Sequence, residues 1–426
     1  MHNVYWSIVR KYLPGWRRVL PLVFSLLVAE LLLQVASGLN LTVRRLLAPP
    51  WQVVAPSISD PRLLSRGNPL SPDHDTAGYR NPARLSSAEI VVLGDSQAYG
   101  LGVAANMAWP RVLERETRQR VYNMAFPGYG PGQSLFQLDE ALSLAPRVLV
   151  VAPYFGNDFY DAYVLAKHHP ELAESSPVEL RAAAAALDRQ RPIEATVEPL
   201  FAPDRIEAAP APSSAGRRLV SEHLKVYGLV RALRYRFTQL PSSSSPLLYG
   251  PFSEAVKAMS PELQKLAVPF DSQRWRTILT APYRARVLDD RDPRIRLGFD
   301  IARYCLRAIA DRCRQAGVSL LVVLIPTKES VFWPLVRDPD RYPELRQLVA
   351  DEDRLRREWI VDLQDRGVRY VDLLDALRAS PSQPYFEGVD GHPNEHGHQV
   401  TAAAVAESVN AAGRAGTKAD GPITPQ

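Results

Sequence analysis

Five short apolar runs, at 89–94, 120–126, 147–155, 318–326 and 368–374, alternate with helix-period segments at about 106–119, 133–144, 300–316, 343–366 and 396–412. Strands that alternate with amphipathic helices bury themselves best in a parallel sheet with helices on both faces. Strands of such a sheet are covered on both sides, so they read as continuously apolar. RVLVVAPYF and VSLLVVLIP fit that description. The expected fold class is therefore α/β.

Four short polar motifs follow these runs. Ile90-Val91-Val92-Leu93 leads into Gly94-Asp95-Ser96. The later runs lead into the NMAFPG stretch Asn123–Gly128, then Gly156-Asn157-Asp158, and finally Asp390-Gly391-His392-Pro393-Asn394. In an open parallel sheet, ligands bind at the carboxyl edge of the strands, which is where all four motifs are expected. Ser96 is placed to be a nucleophile and His392 to take its proton, with Asp390 orienting the imidazole. The amides of Ser96 and Gly128 and the side chain of Asn157 are placed to hold an oxyanion, with Gly130 a second candidate for the glycine amide. That set is what acyl transfer through a serine ester requires. Asp95 and Asp158 are expected to brace turns. His396 and His398 follow His392 closely but lack the Cys or carboxylate company of a metal site, so they are expected at the surface or behind the site. His168-His169 reads as a surface pair.

The only long apolar stretch is Val19–Leu39, 21 residues. As a helix it is roughly 32 Å long, enough to cross a bilayer. Arg10, Lys11, Arg17 and Arg18 precede it, and only Arg44 and Arg45 follow closely. That bias puts residues 1–18 in the cytoplasm and the rest outside it. Glu30 and Gln34 share one face of the span, where they can bind a neighbouring helix or sit neutral. A cleaved signal peptide and a buried soluble helix are the alternatives to an anchor.

The other segments carry less chemistry. Residues 40–85, rich in Pro, Ser and Arg, read as a stalk or wrapping segment ahead of a domain at 86–412. An insertion at 161–298 is too long for a loop. It holds an Ala-rich helical patch (Arg181 to Leu187), a Pro/Ala run near 202–213 and a serine run (Ser242 to Ser245), and reads as a partly helical cap. The small, polar tail 413–426 is expected to be disordered. Net charge is +5, but Lys and Arg are spread without aromatic interleaving, so a solvated basic surface is expected and no nucleic-acid partner. Cys305 and Cys313 lie eight residues apart on one expected helix, roughly 12 Å between Cα atoms and too far for a disulfide.

Gly94-Asp95-Ser96, Gly128, Asn157 and Asp390-Gly391-His392, in that order, resemble the motifs of the SGNH (GDSL) hydrolase family. The resemblance covers about 89–158 and 318–405. It implies a flavodoxin-like α/β/α three-layer sandwich with a five-stranded parallel sheet, beside the N-terminal transmembrane helix. It implies Ser96 as nucleophile, His392 as base, Asp390 as its acid, and Ser96, Gly128 and Asn157 as the oxyanion site, with no metal and no organic cofactor. Only Gly391 separates acid from histidine where many members have two residues, which leaves Glu387 or a backbone carbonyl as substitutes for Asp390. The anchor, Gly78-Tyr79-Arg80 and Pro326-Thr327-Lys328-Glu329 are similar to bacterial envelope members, some of which move or remove acetyl groups on polysaccharides. The implied activity is an ester hydrolase at the inner membrane, facing the periplasm, whose substrate is an ester such as an acylated glycan. An O-acetyltransferase and a non-catalytic glycan-binding protein are the alternatives.

Overall fold

The computed structural model describes residues 2–49, 52, 55–200, 220, 222–236 and 245–416. The Pro/Ala run near 202–213, Ser242 to Ser244 and the tail beyond 416 lie outside these residues. The chain divides into two compact units, one of 1–58, 67–78 and 206–242, the other of 59–66, 79–205 and 243–426. The helices that matter below are, in chain order, α1 (His2–Leu39), α2 (Leu41–Leu47), α3 (Trp109–Thr117), α4 (Asp158–His168), α5 (Lys225–Arg236), α6 (Ala281–Leu288), α7 (Pro293–Gln315), α8 (Pro343–Asp365) and α9 (Glu395–Gly416).

In the smaller unit, α1 contains the apolar span Val19–Leu39, long enough to cross a membrane, with its apolar side chains exposed. Asn40 ends α1 and caps α2, its side chain accepting from the amides of Thr42 and Val43.

The larger unit is built on five parallel strands, β1 (Ile90–Gly94), β2 (Val121–Asn123), β3 (Val148–Ala152), β4 (Ser319–Leu324) and β5 (Arg369–Asp372), in the order β2-β1-β3-β4-β5. This is a flavodoxin-like order. Ile90, Val91, Val92 and Leu93 are completely buried, as are Leu149 and Val150, which is why these runs carry no polar residue. Helices flank the sheet: α4 packs on α7, and α3 packs on α9. Phe155 and Phe159 meet Phe299 of α7 and Trp359 of α8 with ring centroids 5.0–5.8 Å apart. Burying each such ring stabilises by roughly 2–3 kcal/mol.

Tyr79 to Asn81 latch the open edge at β2. Asn81 Nδ2 donates to the Asn123 carbonyl at 2.9 Å, and the Asn123 amide donates back to Asn81 Oδ1 at 3.0 Å. One side-chain amide thus replaces a missing strand partner. Cys305 and Cys313 are both free, both buried and both on α7.

Candidate active site

The register fixes the edge from which the motifs emerge. Gly94, the last residue of β1, pairs with Ala152, the last of β3, so Ser96 and the Tyr154–Asn157 turn leave the sheet side by side. Asp95 has no exposed surface and caps the short helix Ser96–Tyr99, accepting from the Gln97 amide at 2.9 Å. This fixes Ser96 in the first turn, nearly buried.

His392 arrives by a longer path than the sequence suggests. The expected strand 368–374 is cut short at Asp372, whose side chain caps the helix Leu373–Ala379 by accepting from the Leu374 amide. The chain then loops back to the same edge. There His392 Nε2 lies 2.8 Å from Ser96 Oγ, and His392 Nδ1 lies 2.9 Å from Asp390 Oδ1. The same Asp390 oxygen accepts from the His392 backbone amide at 2.8 Å. Burial works to raise the Asp390 carboxyl, but the charge of His392 and these two hydrogen bonds outweigh it and hold it below the usual value. An anionic Asp390 puts the imidazole proton on Nδ1 and leaves Nε2 as an acceptor. Ser96 has one hydroxyl proton and two acceptors in reach, His392 at 2.8 Å and Asp95 Oδ2 at 3.3 Å. The shorter contact points that proton at His392. Glu387 is engaged elsewhere, accepting from the Phe252 amide at 2.7 Å.

Gly128 and Gly130 differ in what their amides do. The Gly130 amide donates to Gln133 Oε1 at 3.0 Å. Among the described residues nothing accepts from the Gly128 amide. Gly128 has φ +79°, and a Cβ there would meet nothing within 4 Å, so the turn itself requires a glycine rather than any close neighbour. Asn157 precedes α4, and its Nδ2 donates to Asp161 Oδ2 at 2.6 Å, which leaves one amide hydrogen for another acceptor. His398 is not at the surface. It is fully buried and its Nδ1 accepts from the Trp109 amide at 3.2 Å, joining α9 to α3. His396 Nε2 lies 2.8 Å from Ser380 Oγ.

A family model described as the SGNH hydrolase-like domain of ALGX, acetyltransferase AlgX, matches residues 292–422, which include Asp390 and His392. This part of the chain is similar to an SGNH hydrolase-like domain. No curated protein sequence matches it. Among solved structures, a G-D-S-L family protein from Desulfitobacterium hafniense DCB-2 is similar with a TM-score of 0.34 at 8% identity, over 75% of this chain and 97% of that one. A GDSL-like lipase from Bacteroides thetaiotaomicron VPI-5482 gives 0.33 at 8% identity, over 76% and 88%. TesA gives 0.31 at 11%, over 76% and 98%.

Three groups around this site have surroundings that the sequence reading did not assign to them. The first is the carboxyl set behind Asn157. Burial pushes the Asp95 carboxyl up to about 6, against the pull of the Gln97 amide and His392. Asp158 is also without exposed surface, and burial followed by the nearby Asp95 pushes it well above the usual range. Burial and Asp95 likewise push the Asp161 carboxyl up to about 8. The second is Arg284 of α6, which comes from the insertion. Its Nη1 donates to the Gly156 carbonyl at 2.7 Å, and its guanidinium lies over the Tyr154 and Tyr283 rings at 5.2 and 4.7 Å. A Cβ on Gly391 would stand 2.6 Å from Arg284 Nη2, so a larger residue there requires the guanidinium to shift. The third is Lys328, which has no exposed surface and donates to Ile278 O, Asp390 O, Gly388 O and Thr277 Oγ1 at 2.8–3.2 Å. Burial lowers its ammonium to about 8, with Glu329 and Asp390 opposing. Lys328 was visible as part of Pro326-Thr327-Lys328-Glu329, whereas Arg284 sits in an insertion without any motif spacing.

Proposed function

We propose that this protein is a membrane-tethered serine ester hydrolase, with α1 as the anchor and the SGNH unit in the periplasm of a bacterial envelope. The observation that carries the reading is the contact chain from Ser96 Oγ to His392 Nε2 at 2.8 Å and from His392 Nδ1 to Asp390 at 2.9 Å. His392 takes the Ser96 proton as Oγ attacks an ester carbonyl. The amides of Ser96 and Gly128 and the free amide hydrogen of Asn157 receive the charge that develops on the carbonyl oxygen. Collapse expels the alcohol, which takes the proton from His392, and leaves an acyl-Ser96 ester. A water molecule, deprotonated by His392, then releases the acid. The bond broken in each half is an acyl C–O bond, and no redox partner is needed. The substrate class we infer is an acylated envelope glycan or a similar ester.

A second reading is an O-acetyltransferase, in which a sugar hydroxyl replaces water in the second half. The matched family model, described by an acetyltransferase, favours it. Both readings share the acyl-enzyme. The test is to treat the full-length protein in detergent with a fluorophosphonate probe and map the label by mass. Label on Ser96 that disappears in His392→Ala supports the shared mechanism, and absence of label on folded protein refutes it. With an acetyl ester donor, acyl-enzyme breakdown accelerated by added oligosaccharide, with acetylated sugar as product, selects the transferase. Breakdown indifferent to sugar selects the hydrolase.

A further inference from the structure

Glu30 stands in the middle of the apolar span Val19–Leu39, nine residues before its end. If α1 spans, that is about 14 Å from the end of the span and close to the bilayer midplane. A carboxylate at such depth needs a partner. In the smaller unit it has three. Glu30 Oε1 accepts from the Lys225 amide at 2.8 Å and from Gln34 Nε2 at 2.7 Å, while Oε2 accepts from the Val226 amide at 2.8 Å. Gln34 Nε2 also donates to the His223 carbonyl at 2.6 Å. Lys225 and Val226 open α5, so Glu30 satisfies two of the amides that a helix start leaves without partners. In water such amides are readily hydrated. In hydrocarbon they must be met by protein.

The exposed side of this segment carries Leu224, Tyr227 and Val230, with His223 at its start. Leu224 and Val230 are 47% and 60% exposed, continuous in character with the lipid-type surface of α1, where Phe24 is 68% exposed. Gly228 fits against the backbone of Leu47 in α2, where a Cβ would stand 2.4 Å from the Leu47 carbonyl oxygen. Helix α5 has 12 residues, too few to span a bilayer, for which about 20 are needed.

We propose that residues 222–230, part of the long insertion, are embedded in the bilayer beside α1, latched by Glu30 and Gln34, with Leu224 and Val230 facing lipid. The inference rests on the reading of α1 as a membrane anchor. It makes the insertion a second point of membrane attachment that enters and leaves on one side.

The test uses the full-length protein in phosphatidylcholine vesicles, with single cysteines labelled by an environment-sensitive fluorophore. Cys305 and Cys313 are buried, and replacing both with serine gives the background. Leu224→Cys and Val230→Cys probe the segment, Phe24→Cys probes the anchor, and Val178→Cys, 64% exposed in the larger unit, is the aqueous control. The expected result is that Phe24, Leu224 and Val230 labels are quenched by doxyl-labelled lipid and protected from iodide, with Val178 the reverse. Iodide quenching at Leu224 and Val230, with Phe24 lipid-exposed, overturns the inference and leaves the anchor intact. Iodide quenching at Phe24 as well refutes the anchor. Protection of Leu224 and Val230 from both quenchers means that protein covers this face, and also overturns the inference. Adding Glu30→Leu is expected to make the Leu224 label several-fold more accessible to iodide while the Phe24 label stays in lipid. No change at Leu224 in that variant removes the latch.

Discussion

The Lys328 ammonium donates to the backbone carbonyl of Asp390 at 2.8 Å, two residues before His392. The same nitrogen reaches Gly388 O at 3.1 Å and Ile278 O at 2.8 Å, so it ties the His392 loop to the strand Arg276–Leu279 of the insertion. Lys328→Met keeps the volume and takes a donor from the Ile278, Gly388 and Asp390 carbonyls, of which Gly388 retains the Thr277 hydroxyl at 3.2 Å. A loss of about 3 kcal/mol in stability is expected. The loop is also expected to lose its fixed geometry, so labelling of Ser96 by a fluorophosphonate should slow by about tenfold or more at temperatures where the variant is folded. Denaturant unfolding and labelling rates measured together check this. Full labelling speed in a folded variant means that the loop holds itself.

Arg284 and Gly391 are expected to be coupled. Gly391→Ala drives a methyl against a guanidinium that cannot retreat without releasing Gly156 and leaving the Tyr154 ring. The substitution is expected to slow Ser96 acylation by about tenfold to a hundredfold. Arg284→Met alone should also slow it, since the turn before Asn157 loses its clamp. The double variant is expected to be markedly less impaired than the sum of the two, because the clash disappears with the guanidinium. Strictly additive effects mean that the two residues do not act through each other.

Much of this architecture was legible because burial writes it into the chain. Val91 to Leu93 and Leu149 to Val151 are apolar throughout because both faces of the sheet are covered. Ser96 and Asn157 stand side by side because the ends of β1 and β3 share one edge, whereas His392 is returned to that edge by the loop after Leu373–Ala379. The helix Leu373–Ala379 was missed because its leucines extend the apolar run of β5, and the capping by Asp372 was the one signal against a strand. His398 was left between the surface and a place behind the site, because the choice depends on which face of α9 meets Trp109. Arg284 and Glu30 each find partners far along the chain, in Gly156 and in Lys225 with Val226. No local pattern encodes such pairings.

Asp161 is expected to give the site an alkaline limit. Its carboxyl, pushed up to about 8, is a neutral acid at pH 7. Asn157 Oδ1 is buried without a partner, so a protonated Asp161 can donate to that oxygen once the amide turns over, freeing both Nδ2 hydrogens. Above pH 8 the carboxylate keeps Nδ2 as its donor, and only one amide hydrogen remains for the oxyanion. Asp95 adds negative charge nearby and Arg284 opposes it, so the transition belongs to the group as a whole. Ser96 labelling by the fluorophosphonate is expected to fall as pH rises through about 8. Asp161→Asn, neutral at every pH, should retain labelling at pH 7 and lose that decline. A variant whose profile matches the parent excludes Asp161 as the source.

His398 is expected to make the larger unit acid-sensitive. Burial, with His392 and Arg80 adding to it, lowers the His398 imidazole to about 3, from 6.5 in the unfolded chain. The folded protein therefore refuses a proton that the unfolded chain accepts, and the stability that neutral His398 contributes is present above pH 6.5 and lost as pH falls towards 3. Between pH 7.5 and 5.5 that loss is about 1.4 kcal/mol. Asp95 and Asp161 have raised values and act in the opposite direction, but equally in parent and variant. His398→Asn keeps an acceptor for the Trp109 amide and removes the titration. Urea unfolding at the two pH values should show the parent's advantage over His398→Asn shrinking by about that amount. A gap that stays constant means that His398 takes up its proton without cost, either because the helix end opens locally or because water reaches the ring.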